Sequence, residues 1–424
     1  MSDRATALKP GRVRGLRNRD VGMVSFVWIL LTSGTVLPNT TENIRITLVI
    51  SGFLLAVQLI LLLTQVRKRL SFGAIATYVA MVGIVVITMV ANSDLSSYLT
   101  YARLLVAVGL ACGCALLVDK SAAIRVFVTV ISAIAAVSLV FFYGESVERI
   151  PSLFNIRSLN ETTYYNAYLY LQLVADASRN TAIYIEPGLY QIYLCLALMA
   201  LLYAGESFRY KYLKILVLGL AIASTNSTAG YIAGLLVVSG LVFKYSATKF
   251  RYVLATIRLA LVAIVVAYSV NSSYFIGNIE SKFLGQSQLS WLGRRDSTLA
   301  DLKIIWESPF FGTGAGNYMR DIDVLGAIGY EIAAATNTYT QLAAVFGLLF
   351  VVPVLALQLG SLKRASASVG IKFLLAGVWA ISFLNQPFLM YAFFYLPAFL
   401  YFNRGLRPVE SQAPPVDRML NESR

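Results

Sequence analysis

Long apolar runs alternate along this chain with short polar breaks. Runs near 21–37, 44–64, 72–91, 98–118, 123–143, 188–204, 212–224, 229–243, 253–271, 338–358, 370–385 and 388–403 each read as a helix. Crossing ~30 Å of hydrocarbon at ~1.5 Å per residue takes about 17–25 apolar residues. The pattern therefore predicts an all-α polytopic membrane protein with about 12 transmembrane helices. Several runs are short, notably those flanking Ser224 to Thr228 and those flanking Asn385-Gln386-Pro387. Such runs have to tilt, snorkel or be shielded by neighbours. The first run follows a basic, hydrophilic stretch and lacks an A-x-A-like cleavage site, so it reads as a retained helix and not a signal peptide.

Composition agrees with the pattern: 58% of the residues are hydrophobic and 13% charged, against roughly a quarter charged in a soluble domain. Cys112, Cys114 and Cys195 all sit inside apolar runs, which implies neither a disulfide framework nor a zinc site. A net charge of +14 raises the question of nucleic acid, but the distribution of the charge answers it. Basic clusters such as Arg67-Lys68-Arg69, Arg209 with Lys211 and Lys214, and Lys363-Arg364 fall in alternate breaks. This is the positive-inside arrangement of a chain with both termini cytoplasmic. It gives a cytoplasmic N-terminus over 1–20, a transmembrane domain over 21–403 with periplasmic loops at 144–187 and 272–337, and a cytoplasmic tail over 404–424.

The two long loops are where chemistry is expected, because loops beyond about 12–15 residues are usually functional or disordered and these are rich in aromatics. In the second, Arg295, Leu299, Leu302 and Trp306 form one helical stripe and Arg294, Thr298 and Asp301 its neighbour, with Pro309 ending the helix. That reads as a helix lying on the membrane surface. "SPFFGTGAGNY" follows at 308–318. Its glycines permit a tight backbone, serving either as a turn that returns the chain to the membrane or as a nest of amides facing a phosphate.

Several segments together resemble the O-antigen ligase and O-antigen polymerase (Wzy-type) superfamily of bacterial envelope glycosyltransferases. "RNTAIYIEPG" at 179–188 is similar to the family's R-x-x-G-x-x-x-E-P segment before a membrane helix. "STAGYIAGL", "LGRRD", "SPFFGTGAGNY" and "TNTYTQLAAVFG" are the other matching pieces. The last matches the family's His-Asn pair at Asn337, with Gly347 in place, but the histidine position is Thr336 and the whole chain contains no histidine. The resemblance implies a GT-C-like fold in the bacterial inner membrane with its active site facing the periplasm. It implies transfer of a glycan from undecaprenyl diphosphate, inverting and without metal or cofactor. The missing histidine favours a polymerase of lipid-linked repeat units over a ligase that loads lipid A-core. The partners implied are the undecaprenyl-diphosphate-linked oligosaccharide, the bilayer, a flippase and a chain-length regulator, with no nucleic acid.

Within that reading the leaving diphosphate needs fixed positive charge, which arginine supplies as a planar fork that never deprotonates. Arg179 and Arg294 lead, followed by Arg295. The acceptor hydroxyl needs a base or an orienting acceptor, and without histidine Glu186 is the candidate. Pro187 favours a helix starting there, so the alternative role for Glu186 is a cap paired with Arg179. Thr336, Asn337 and Gln341 are placed to hydrogen-bond sugar or phosphate or simply to cap a helix. Tyr184, inside the motif, joins the substrate-binding candidates. Arg103, several residues inside a predicted span, is costly in lipid unless it snorkels or faces a cavity, where it would meet a phosphate. A secondary transporter or lipid-linked oligosaccharide flippase also fits the topology. The break at Ser224 to Thr228 is the feature that reading would claim, although acidic residues avoid the span centres and no internal repeat is evident.

Overall fold

The computed structural model describes residues 11–40, 43–64, 71–144, 155–157, 162–166, 170–174, 178–245, 288–327, 337–365, 367, 369–384 and 386–403. Within them the apolar runs become helices α1 (Gly11–Thr32), α2 (Asn43–Thr64), α3 (Phe72–Ala91), α4 (Tyr98–Leu117) and α5 (Lys120–Tyr143). Then follow α6 (Pro187–Tyr203), α7 (Lys211–Ser224), α8 (Thr228–Tyr245), α9 (Gln288–Glu307) and α10 (Ala315–Ala327). Four more, α11 (Thr338–Phe346), α12 (Leu348–Arg364), α13 (Val369–Phe383) and α14 (Ala392–Leu400), complete the described helices.

Among the described residues four helical stretches are long and apolar enough to cross a membrane: α2, α3, α4 with the turn before it, and α5. Helix α6 is shorter, but it is apolar on every face and buried along nearly its whole length. A helix with no polar stripe belongs inside a bundle, and α6 is the central post against which α5, α7 and α8 pack. The lower part of α4 is likewise buried from Ala107 to Ala115. Its small residues let neighbouring helices approach closely, the usual way membrane helices associate. In contrast Ile46, Val49 and Phe53 of α2 point outward, as a lipid-facing helix requires.

Two expectations need correction. The run at 338–358 is not one helix: Gly347, at φ +77°, separates α11 from α12. A Cβ at Gly347 would collide with the Phe310 carbonyl, so the close approach of the 308–314 loop requires glycine there. The run at 388–403 yields only the nine-residue α14, preceded by non-helical chain. The fold is mostly helical, as expected, with one small addition. The first long loop holds a three-stranded antiparallel sheet, β1 (Asn155–Arg157), β2 (Thr163–Asn166) and β3 (Leu171–Leu173), paired in sequence order. The expected span at 253–271 and the tail at 404–424 lie outside the described residues.

The surface helix of the second loop forms as α9, and its two stripes divide as the pattern predicts. Leu299, Leu302 and Trp306 face outward, Trp306 at 88% exposure, while Ala300, Asp301 and Ile304 face the protein. Orientation is testable because the three cysteines are buried. Ser96→Cys, in the turn before α4, should react with a membrane-impermeant maleimide on intact cells stripped of outer membrane. Ser207→Cys, between α6 and α7, should react only after lysis. The reverse pattern would invert the topology.

Candidate active site

The segment 178–186 approaches α6 as an extended strap rather than a loose loop. Asn180 is fully buried, and its side-chain amide and backbone N–H are all used. Its Nδ2 donates to Ser138 Oγ (3.1 Å) and to Ser224 Oγ (2.9 Å), its backbone N–H donates to the Ser224 carbonyl (3.0 Å), and its Oδ1 accepts from Ala182 N–H (3.0 Å). Burying an amide is favourable only when it is satisfied in this way. Just before it, Asn226 Nδ2 donates to the Ser178 carbonyl (2.9 Å) and Arg179 Nε to the Thr225 carbonyl (3.2 Å). The polar break between α7 and α8 is therefore the cradle for the strap.

Further along, Thr181 Oγ1 donates to the Leu171 carbonyl (2.6 Å) and Leu171 N–H to the Ala182 carbonyl (2.7 Å). Ala182 stands where the family motif has glycine, at φ +50°, a left-handed conformation that a Cβ makes costly by roughly 1–2 kcal/mol. Thr35 and Tyr184 then form a β-bridge, Ile185 N–H donates to the Gly34 carbonyl (3.0 Å), and Tyr164 donates to the Ile185 carbonyl (2.6 Å). The strap is thus fixed to α5, the α7–α8 turn, the sheet and the end of α1 before it delivers Glu186.

Glu186 is exposed and adopts extended N-cap backbone geometry, with Pro187 in the first turn of α6, yet its side chain makes no capping hydrogen bond. The capping role expected as an alternative is left to its carbonyl, which accepts from Leu189 and Tyr190 (both 3.1 Å). Its carboxylate lies within electrostatic reach of Arg294 from α9, which in turn feels Arg179. Burial, with Arg179 acting in the same direction, draws the Arg294 pKa below its ordinary value, and Glu186 opposes them. Tyr391 lies within reach of both Glu186 and Arg103. Helix α11 starts at the same place. Thr338 Oγ1 donates to the Gln386 carbonyl and accepts from Phe388 N–H (2.9 Å), while a Cβ at Gly188 would run into the Gln386 amide. The N-termini of α6 and α11 therefore open onto one mouth, and each contributes partial positive charge there.

The remaining candidates separate. Asn337 is an N-cap, accepting at Oδ1 from Tyr339 N–H (3.0 Å) and Thr340 N–H (3.3 Å). Gln341 is half-buried, and its Oε1 has no hydrogen-bond partner among the described residues. Arg295 points outward and pairs with its neighbour Asp296 (2.8 Å), away from the group. Tyr184 is buried in a stack with Tyr190 and Tyr193 (5.4 and 4.8 Å between centroids), which makes it core and not a sugar platform. Thr336 lies outside the described residues.

The glycine loop after α9 resolves the choice between turn and anion nest. Gly316 N–H donates to Asp94 Oδ2 (2.7 Å), and Ala315 N–H to the Tyr101 hydroxyl (3.0 Å), which itself donates to Asp94 (2.8 Å). The loop's amides are already spent: Gly316 on a carboxylate, Ala315 on the Tyr101 hydroxyl, and Gly312, Thr313 and Gly314 on the carbonyls of Ser308, Ala344 and Val345. Burial pushes the Asp94 pKa up, but hydrogen bonds from Gly316, Ser97, Tyr101 and Ser96 outweigh it and hold the carboxyl below its usual range.

A second buried acid latches α9 in place. Asp301, at 1% exposure, accepts from Thr340 Oγ1 of α11 (2.6 Å) and from the Tyr318 hydroxyl of α10 (2.9 Å). It lies two turns along α9 from Arg294, on the inward stripe that the sequence pattern already grouped with Arg294.

Residues 213–355, from α7 into α12, match the family described as O-antigen ligase. Over that stretch, about a third of the chain, it is similar to the O-antigen ligase family, in keeping with the resemblance carried by the motifs. No curated protein matches it. The ligase-family stretch includes Arg294, Asp301, Asn337 and Gln341, whereas Arg103, Arg179 and Glu186 precede it and meet it only through the fold.

Burial raises the Asp301 carboxyl to about 6, against the hydrogen bonds from Thr340 and Tyr318, from an ordinary 3.8. Between about pH 4 and 6 the native state then holds a proton that the unfolded chain releases, so this group's contribution to stability falls as pH rises through that window. The loss is up to about 3 kcal/mol, and the contribution is flat above it. Comparing melting temperatures of the solubilised protein from pH 4 to 8, the wild type should lose ground to Asp301→Asn across that window. A difference that does not change with pH would contradict an ionising buried Asp301.

Proposed function

We propose that this protein belongs to the O-antigen ligase and polymerase superfamily and polymerises undecaprenyl-diphosphate-linked oligosaccharide repeat units at the periplasmic face of the bacterial inner membrane. The observation that supports this reading is the convergence of Arg179, Arg294 and Glu186 from separate segments at the mouth of α6. In the proposed step the acceptor sugar's hydroxyl oxygen attacks the anomeric carbon of the lipid-linked glycan. The bond from that carbon to the diphosphate oxygen breaks, the electron pair leaves with undecaprenyl diphosphate, and a single displacement inverts the carbon. Arg179 and Arg294 meet the charge that grows on the leaving diphosphate, an interaction stronger in the transition state than in the ground state. The hydroxyl proton passes to Glu186 and from it to water. Glu186 is exposed at the mouth rather than consumed as a cap, which leaves its oxygens free to orient that hydroxyl.

Polymerisation is favoured over ligation because the chain lacks histidine altogether, so the residue thought to activate a lipid A-core acceptor is absent. Transport has less support. The polar break at 224–228 that it would use as a broken helix is occupied with anchoring Asn180, Arg179 and Ser178. A flippase supplying the repeat unit and a chain-length regulator are the protein partners this activity requires.

Deleting the gene should convert a ladder of surface glycan on a gel into a single attached repeat unit. Complete loss of attached glycan, with long lipid-linked polymer accumulating, would instead identify a ligase. Arg179→Ala and Arg294→Ala should each slow extension by about 10²–10³-fold, and Glu186→Gln by about 10²–10⁴-fold, at unchanged protein level. Wild-type ladders from all three would remove the site assignment.

A further inference from the structure

A cavity of about 60 Å³ lies beside the mouth, between the end of α1, the start of α2, α4 and the residues leading into α14. Its volume is several times the ~10–15 Å³ that one water needs, enough for a phosphate group. Arg103, in the second turn of α4, reaches it together with Asn39, Ser33, Thr47, Ser51 and Tyr391. The arginine is aimed rather than neutralised. Asn39 Nδ2 donates to the Thr35 carbonyl (2.7 Å), which turns Asn39 Oδ1 toward Arg103 Nη2 (2.9 Å). Among the described residues no carboxylate lines the cavity. A guanidinium brought to this depth, with hydrogen-bonding capacity left over and no carboxylate beside it among the described residues, favours an anion that completes it. The hydroxyls of Thr47 and Ser51 on the wall add donors that suit phosphate oxygens.

The wall also says what kind of phosphate would come. It is built partly by α2, whose Ile46, Val49 and Phe53 are exposed on the outer face of the bundle, so a polyprenyl or acyl tail can lie along α2 while its headgroup enters the cavity. We propose that the Arg103 cavity is a second phosphate-recognition site, holding the phosphate or diphosphate of a lipid-linked molecule. Resting on the polymerase reading, it gives the two lipid-linked substrates separate headgroup sites, one at Arg179 and Arg294 and the other at Arg103. Glu186 is within electrostatic reach of Arg294 and of Tyr391, and Tyr391 in turn of Arg103. Glu186 is where an acceptor hydroxyl would have to be presented.

The test is a count of bound headgroups. Full-length protein in phosphatidylcholine nanodiscs is titrated with undecaprenyl diphosphate, and stoichiometry is read by native mass spectrometry. Wild type should bind two molecules. Arg103→Ala should lose one of them, its affinity falling at least about tenfold, as expected for a charge-assisted contact, while the other remains. Arg103→Lys, which keeps charge and bulk but not the fork, should weaken the same molecule and carries the test if the alanine variant fails to fold. Two molecules of wild-type affinity in both variants would overturn the proposal. So would inorganic diphosphate filling the Arg103-dependent site as tightly as the lipid, since recognition would then not be of a lipid-linked molecule. The double variant Arg179→Ala with Arg294→Ala should spare the Arg103-dependent molecule. If it spares both, the catalytic assignment fails while the Arg103 site stands.

Discussion

The arrangement depends first on the burial of one amide. Asn180 can sit inside the bundle only because Ser138, Ser224 and Ala182 satisfy it. An unsatisfied buried amide would cost on the order of 1–3 kcal/mol. That requirement converts a sequence of ordinary loop character into a strap with one register. Arg179 precedes the bolt and Glu186 follows it by six residues, so fixing Asn180 fixes both charges relative to α6. The positive φ at Ala182 is the strain this register imposes, and the β-bridge to Thr35 takes up the remaining freedom.

The other half of the mouth is placed by two buried carboxylates acting at a distance. Asp94 holds the 308–318 loop directly through the Gly316 amide and through Tyr101 at Ala315, and Gly347 lets that loop lie directly against the junction of α11 and α12. Asp301 then ties α9 to α10 and α11, which holds Arg294 at the level of the α11 N-terminus. Opposite charges at the mouth of a membrane helix are therefore positioned by neutral and acidic groups that never face the substrate.

Much of this was legible in the sequence. The apolar runs gave the helices, because a membrane helix is specified by length and composition alone. The period of the 294–308 segment gave both the outward stripe and the inward one. The resemblance brought Arg179, Glu186 and Arg294 forward as a group. What periodicity could not show is which polar residues are spent on architecture. Asn337 and the glycine-loop amides look equally suited to a ligand or to a cap, and only their partners decide for cap and internal carboxylate. Tyr184 reads as a substrate-binding candidate because it lies inside the motif, yet its position in the strap turns it into the core. The architectural roles of Asn180, Asp94 and Asp301 depend on Ser138, Gly316 and Tyr318, which lie 42, 222 and 17 residues away along the chain, beyond any local signal. Gly347 divides an apolar run whose composition is otherwise that of one span.

The most direct test of the account is whether the strap, rather than the charges alone, sets the chemistry. Asn180→Ala leaves Arg179, Glu186 and Arg294 in the chain but removes the bolt. Hydrogen–deuterium exchange over 178–186 should rise strongly in this variant while α2 to α5 remain protected, and chain extension should fall toward the level of Arg179→Ala. Wild-type chain length with an unprotected strap, or an unchanged strap with lost extension, would contradict the account.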